Sequence, residues 1–203
     1  NQSPCMPIIQ GLFYKEEKAL PNFGPLKKPG CVLVVVDIQE KLLPAIHDFM
    51  SVLDRSVKMV TAARALDVPI LFTQQYTRGL GPTHAALTSL VPEFSHLEKT
   101  TFNCFGAEGF NESLERLGAK TLVIIGIEAH ICVCQTALEA LQRGYDVHVV
   151  ADAVGSRTTA NRGIGLERIK QAGGVINGSE LTIYEWVERS DSAGFKLILP
   201  LLK

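Results

Sequence analysis

The chain has 203 residues, enough for one domain or at most two small ones, and a chain of this length buries roughly 70% of its unfolded surface without a disulfide or metal staple. With 20 basic against 21 acidic residues the net charge is -1, which gives no basic footprint for nucleic acid or an anionic membrane. No apolar run approaches the ~18 residues of a membrane helix, so neither nucleic acid nor membrane is expected as a partner. The cysteines, Cys5, Cys31, Cys104, Cys132 and Cys134, are odd in number and form no CxxC pair. That usage argues against a secreted disulfide framework and for a reducing, intracellular compartment, cytoplasmic or mitochondrial. The sequence begins at Asn1 rather than Met, which leaves a missing start or targeting segment as an open alternative.

Residues 1–29 read as an N-terminal arm ahead of a domain over 30–203. Pro4, Pro7, Pro21, Pro25 and Pro29 break any regular element there, while Leu12, Phe13, Tyr14 and Phe23 give the arm apolar side chains with which to pack. Cys31–Val36 is a continuous Val-rich run ending at Asp37, the pattern of a central parallel strand covered on both faces. A helix comes next, with Ser51 as candidate cap and Leu53, Val57, Val60 and Ala63 at helical spacing. Val68–Thr73 is a second strand. Residues 74–95, with Gly79, Gly81, Pro82 and Pro92, read as a long loop around a short helix, and such loops are commonly functional.

Further on, Phe110–Leu117 is predicted helical, Thr121–Ile125 a strand, Cys132–Arg143 a helix and Asp146–Val150 a strand. Ala160–Ala172 is a helix, Val175–Asn177 a short strand, and Ser179–Arg189 a helix with Ser179 as cap and Leu181, Tyr184 and Val187 as its apolar stripe. Residues 195–202 form a last short element interrupted by Pro200. Strands alternating with helices imply a parallel sheet with helices on both faces. Ligands in such sheets bind outside the carboxyl ends of the strands, near the switch in strand order. The residues there are Asp37, Gln39, Thr73–Tyr76, Gly126–Cys132 and Ala151–Arg157.

Two of these strand ends supply an acid and a thiol, and a loop between them supplies a lysine. An aspartate beside a buried run, as Asp37 is, is costly unless it is paired or useful, although a cap for the next helix would also account for it. Cys132 opens a helix after a strand; the helix dipole there lowers a thiol pKa, and free amides in the turn offer an oxyanion hole. A small buried hydrophobe is the plainer role for a free cysteine. Cys134 stands about 200° round the helix from Cys132 and is expected in the core. Lys99, flanked by Phe102 and Phe105, would stabilise an ionised thiol and carboxylate if brought beside them; alone it would be a solvated lysine.

These residues carry a resemblance. The run VVVDIQEKLLP resembles the opening of isochorismatase-like hydrolases, EKTTFNCF is similar to their lysine segment, and GIEAHICVCQTALEALQRGYDVHVVADAVGSR resembles their cysteine turn, helix, strand and adjoining loop. QQYTRGLGPT and GIEAHIC look most like the eukaryotic isochorismatase-domain-containing proteins. The similarity spans residues 29–190 in order. It implies an α/β fold, a three-layer αβα sandwich on a six-stranded parallel sheet, and a catalytic trio of Asp37, Lys99 and Cys132. It also implies a cis peptide between Ile127 and Glu128 that turns the Glu128 and Cys132 amides toward one oxyanion. The expected activity is cofactor-independent hydrolysis of a small amide, imide or related C–N substrate through a Cys132 thioester, in a homo-oligomer. Gln39, Gln75, Tyr76, Phe102 and Phe105 are the expected substrate wall.

The sequence also departs from relatives. The stretch FTQQYTRGLGPTHAAL holds only His84 where nicotinamidases carry an Asp/His metal cluster, and zinc needs three or four ligands, so no metal is expected. His130 and Cys134 lack a complementary pair. Isochorismate hydrolysis is disfavoured, because relatives that perform it can have glycine in place of Cys132. Gly163 and Gly165 lack the third glycine of a dinucleotide fingerprint. Arg157 either binds an anionic substrate or pairs with Asp152. The competing class is an oligomeric binding or scaffold protein that retains the hydrolase fold. Nuclease activity is a third possibility without electrostatic support.

Overall fold

The structure is a computed structural model and describes residues 24–202. The first 23 residues, with the apolar side chains assigned to the arm, lie outside the described residues. The arm's described end already belongs to the core, since Leu26 is buried with it.

In chain order the elements are β1 (Cys31–Val36), α1 (Phe49–Ala65), β2 (Ile70–Gln75), the single turns α2 (Thr77–Leu80) and α3 (Ala85–Thr88), β3 (Leu97–Lys99) and α4 (Phe110–Arg116). The second half holds β4 (Thr121–Ile127), α5 (Cys134–Gln142), β5 (Asp146–Gly155), α6 (Thr159–Gln171), β6 (Val175–Asn177), α7 (Ser179–Val187) and α8 (Ala193–Ile198). All strand pairs are parallel, in the order β3-β2-β1-β4-β5-β6. The chain winds outward from β1 to β3 and then returns to place β4 on the other side of β1. The switch point therefore lies between β1 and β4.

Strand β1 shows why its sequence reads as an unbroken apolar run. Cys31, Leu33 and Val35 face one core with α1, α7 and α8, while Val32, Val34 and Val36 face the other with α4, α5 and α6. Burying each such valine or leucine stabilises by ~1.5–3 kcal/mol, so both layers are anchored on this strand. Gly126 is required where β4 passes the end of β1. Its φ is +123°, and a Cβ there would overlap the Val36 carbonyl oxygen.

Several local expectations are corrected. Strand β3 is a three-residue edge strand inside what read as loop and lysine segment; its pairing with β2 defines it rather than any periodicity. Strand β5 runs on to Gly155 through a register shift opposite Ile124–Gly126, and Arg162 donates to the Ala151 and Val154 carbonyls there. Ser51 lies inside α1, which starts after Asp48 without a side-chain cap. Ser179 is the first residue of α7 and does not cap it. Its amide and hydroxyl donate to Asp152, at 2.7 and 2.5 Å, so the cap comes from β5. The buried face of α7 is Ser179, Thr182, Ile183, Trp186 and Val187; Leu181 and Tyr184 point outward. Among the described residues no helix is long and apolar enough to cross a membrane.

Candidate active site

Three strand ends converge at the switch point. Asp37 directly follows β1 in a left-handed conformation, φ +51°, tolerated by aspartate better than by most residues. Lys99 closes β3, two strands away, and Cys132 lies beyond β4. Asp37 is 0%, Lys99 3% and Cys132 6% exposed, and the side chains of the charged pair are sealed from solvent.

The polar atoms are closely matched. Lys99 Nζ stands 2.6 Å from Asp37 Oδ2 and 2.7 Å from Gln75 Oε1, with the Thr101 and Phe102 carbonyl oxygens at 3.2 Å each. An ammonium has three protons. Four acceptors saturate it, so Lys99 acts through its charge and has no donor to spare. Thr73 donates to the other Asp37 oxygen, Oδ1, at 2.8 Å. The Cys132 thiol lies within the field of the same carboxylate, which pushes its pKa up.

Burial, then the Asp37 carboxylate, push the Cys132 thiol up to about 12, against the pull of Lys99. The expectation of a helix dipole lowering this thiol is therefore corrected. Cys132 sits inside one π turn, Ala129–Val133, ahead of α5, which begins only at Cys134. At rest the sulfur is a neutral thiol facing an acceptor. Burial alone would lower the Lys99 ammonium, but Asp37, with Cys104 and Cys132 nearby, outweighs it and the pKa is raised.

The turn that carries the sulfur is fixed on several sides. The Ile127–Glu128 peptide is cis. The Glu128 carbonyl accepts from the Ile131 and Val133 amides, at 3.0 and 3.2 Å. Its carboxylate accepts from the Arg157 amide and pairs with the Arg157 guanidinium, both at 3.1 Å. Arg157 thus pairs with Glu128 and not with Asp152, which serves α7. Gly165 lets α6 pack onto the turn; a Cβ there would meet the Ala129 carbonyl oxygen at 2.6 Å. His130 bonds Ser156 and Cys134 is core.

The expected substrate wall divides. Gln39 is fully buried and uses its amide on backbone: Nε2 donates to the Gly81 and Gln75 carbonyls, and Oε1 accepts from the Gln75 amide. It stitches the loop after β1 to β2. Gln75 holds Lys99, its orientation set by Nε2 donating to Thr100 O at 2.9 Å. Phe105 is core, edge-on to Phe110 at 5.1 Å between centroids, with Arg143 over its face at 4.7 Å. Tyr76 and Phe102 are 51% and 53% exposed and attach directly to the lysine: the Tyr76 amide donates to Lys99 O, and Phe102 O accepts from Nζ.

Two residues at the site were given no role by the sequence reading. Thr73 ends β2's expected span and has no motif of its own. Cys104 is fully buried, with Sγ 3.8 Å from Thr73 Oγ1, and nothing in its local sequence marks it. The loop over 76–88 is tied down: Gln74 bonds Thr77 and Thr83, Glu98 accepts from Thr77, and the His84 amide donates to Ile38 O. Two surface grooves of about 580 and 610 Å³, one lined by Arg64, Pro69 and Val91 and the other by Leu166, Lys170 and Val175, lie away from the trio.

An all-parallel sheet in this order, with its buried polar cluster at the switch point, places the protein among the α/β sandwiches that bind ligands at the strand ends. A family model described as the isochorismatase domain matches residues 31–180. Isochorismatase domain-containing protein 2 of Danio rerio is 38% identical over 184 residues, 89% of this chain and 91% of that protein. Among solved structures, MAR1 ribonuclease from Caenorhabditis elegans matches with a TM-score of 0.83 and 34% identity over 88% of this chain and 92% of that one. YcaC matches with a TM-score of 0.82 in two structures. The Pseudomonas aeruginosa protein, solved with covalent acrylamide, is 26% identical over 88% of this chain and 92% of that one. The Escherichia coli protein, an octameric hydrolase of unknown specificity, is 25% identical over 87% and 90%. The chain belongs to the isochorismatase family, and its domain is a hydrolase domain of that family.

Proposed function

We propose that the protein is a cysteine hydrolase of small amides, imides or related C–N substrates, with Cys132 as nucleophile. The observation that carries this reading is the buried Asp37–Lys99 pair, 2.6 Å apart, gathered at the switch point with Cys132, whose thiol feels the carboxylate. A neutral thiol beside an ionised base is suited to attack with concurrent proton transfer.

Asp37 takes the thiol proton as the sulfur bonds to the substrate carbonyl carbon. Lys99 stabilises the resulting anionic cluster by charge alone. The Glu128 and Cys132 amides hold the oxyanion. The C–N bond breaks as Asp37 returns the proton to the leaving nitrogen, giving a thioester. Water then attacks the thioester, passing a proton to Asp37; the C–S bond breaks and the sulfur regains that proton. No cofactor enters this sequence. Tyr76 and Phe102 are the substrate-contacting side chains of the rim, whereas Gln39, Gln75 and Phe105 support the site from behind.

The covalent acrylamide on the P. aeruginosa neighbour supports a family site reactive toward electrophiles. The octameric E. coli neighbour, together with exposed Leu181, Tyr184 and Leu197, supports a homo-oligomer. A second reading, cleavage of RNA, draws on the name of the C. elegans neighbour, but a net charge of -1 offers little for phosphate neutralisation.

The test is a panel of small amides and imides with intact-mass detection of an acyl adduct. Cys132→Ala is expected to abolish turnover and adduct while Cys134→Ala retains both. Equal losses in the two variants would overturn the assignment.

A further inference from the structure

We infer that Thr73 is a positioning residue for the proposed reaction, holding the Asp37 carboxylate in a one-way chain of hydrogen bonds that begins at Cys104. This rests on the reading of Cys132 as nucleophile and Asp37 as its base.

Strand β2 lies between β1 and β3, so Asp37 and Lys99 meet across its carboxyl end. Thr73 and Gln75 stand two residues apart on β2 and share a face. Thr73 holds Asp37 Oδ1 at 2.8 Å, and Gln75 holds Lys99 Nζ at 2.7 Å. The intervening strand thus grips both members of the ion pair.

The direction of the Thr73 bond is set by chemistry. An ionised carboxylate only accepts, so the single hydroxyl proton of Thr73 points at Asp37. The Thr73 oxygen is left with lone pairs, and Cys104 Sγ faces it at 3.8 Å. That thiol is the donor. Cys104 is held in turn by its amide, which donates to Thr136 Oγ1 at 3.0 Å. The order is Cys104 S–H to Thr73 O–H to Asp37, with Lys99 and the Cys132 thiol on the carboxylate's remaining sides. Among the described residues, Lys99, Cys132 and Cys104 are the titratable groups that interact with Asp37 across the site. With Thr73 on Oδ1 and Lys99 on Oδ2, the carboxylate is fixed in the orientation from which it takes the thiol proton and returns it to the leaving nitrogen.

The experiment tracks alkylation of Cys132 by iodoacetamide on the full chain between pH 4 and 9, with the label located by fragmentation mass spectrometry. The wild type is expected to lose reactivity at low pH as the carboxylate–thiol pair gains a proton. In Thr73→Val that acid limb is expected to move up by about one pH unit, the shift expected from losing a hydrogen bond to a charged group. Thr73→Ser, which keeps the hydroxyl, is expected to restore it. Cys104→Ala is expected to move the limb in the same direction by less, and this keeps the test open if Thr73→Val does not fold. An unmoved limb in a folded Thr73→Val, a serine variant that fails to restore it, or an unmoved limb in Cys104→Ala overturns the chain while leaving the nucleophile in place. A wild-type Cys132 that does not label, or one whose profile is unchanged in Asp37→Asn, overturns the nucleophile reading and this inference with it.

Discussion

Replacing Lys99 by methionine isolates the energetics of the ion pair. Both charged side chains are 0% exposed and stand 2.6 Å apart. Without the ammonium, Asp37 keeps the Thr73 hydroxyl but has no counter-charge. Breaking a buried pair from one side costs about 3–5 kcal/mol, a large share of a typical ~5–15 kcal/mol of total stability. For a chain of 203 residues this corresponds to a fall in Tm of roughly 6–20 °C. Asp37→Asn combined with Lys99→Met removes both charges and is expected to recover about 2 kcal/mol or more of the loss. Urea unfolding at pH 7, with m unchanged, measures each quantity. A single-variant cost below about 1 kcal/mol, the range of solvated surface pairs, would refute the reasoning. So would a double variant no more stable than the single one.

Three further outcomes are expected. Burial first, then neighbouring charge, push the thiols from 9.0 to about 12 at Cys132 and to about 11 at Cys104 and Cys31. The folded state therefore holds protons that the unfolded chain releases: stability is full below pH 9 and declines as pH rises from there toward 11–12, and a flat urea midpoint between pH 8 and 10.5 would contradict this. Gly126→Ala, whose Cβ would overlap Val36 O, is expected to cost more than ~4 kcal/mol and to remove the native circular dichroism signal; a variant melting near the wild type would show that β1 and β4 can separate there. Phe105→Ala is expected to cost about 3–5 kcal/mol, and Phe102→Ala within ~0.5 kcal/mol, with altered substrate handling confined to Phe102; thermal melts and amide kinetics on the two variants separate packing from contact.

The layered architecture was legible because its cause is local. A Val-rich strand covered on both faces leaves an unbroken apolar run, and Cys31–Val36 distributes alternate side chains into two cores. Strand β3 was not legible on the same grounds. Three residues, Leu97, Glu98 and Lys99, show no alternation, and their strand character comes from Thr73, Gln74 and Gln75 alongside. The cap of α7 was misassigned for a similar reason. Ser179 has the right chemistry one residue too late, and the oxygens that satisfy it belong to Asp152, 27 residues earlier.

The site divides along the same line. Asp37 and Cys132 stand beyond apolar strands inside motifs that resemble the isochorismatase-like pattern, and position and resemblance together single them out; Thr73 also stands at a strand end, but its role and that of Cys104 depend on a neighbour in space. Exposure also reorders the expected wall, because a glutamine or phenylalanine near a strand end is equally compatible with lining a pocket and with bracing it. Gln39 and Phe105 brace, while Tyr76 and Phe102 face outward. The thiol is the sharpest case. Along the chain, a cysteine at the start of a helix should ionise easily. In space the same sulfur is buried beside a carboxylate, and burial with that negative charge outweighs one nearby ammonium. As the proposed nucleophile, a thiol so placed would depend on its base at the moment of attack and not on a standing thiolate. Proton transfer to Asp37 therefore becomes part of bond formation in the proposed reaction, and groups that set the basicity of that carboxylate set the rate.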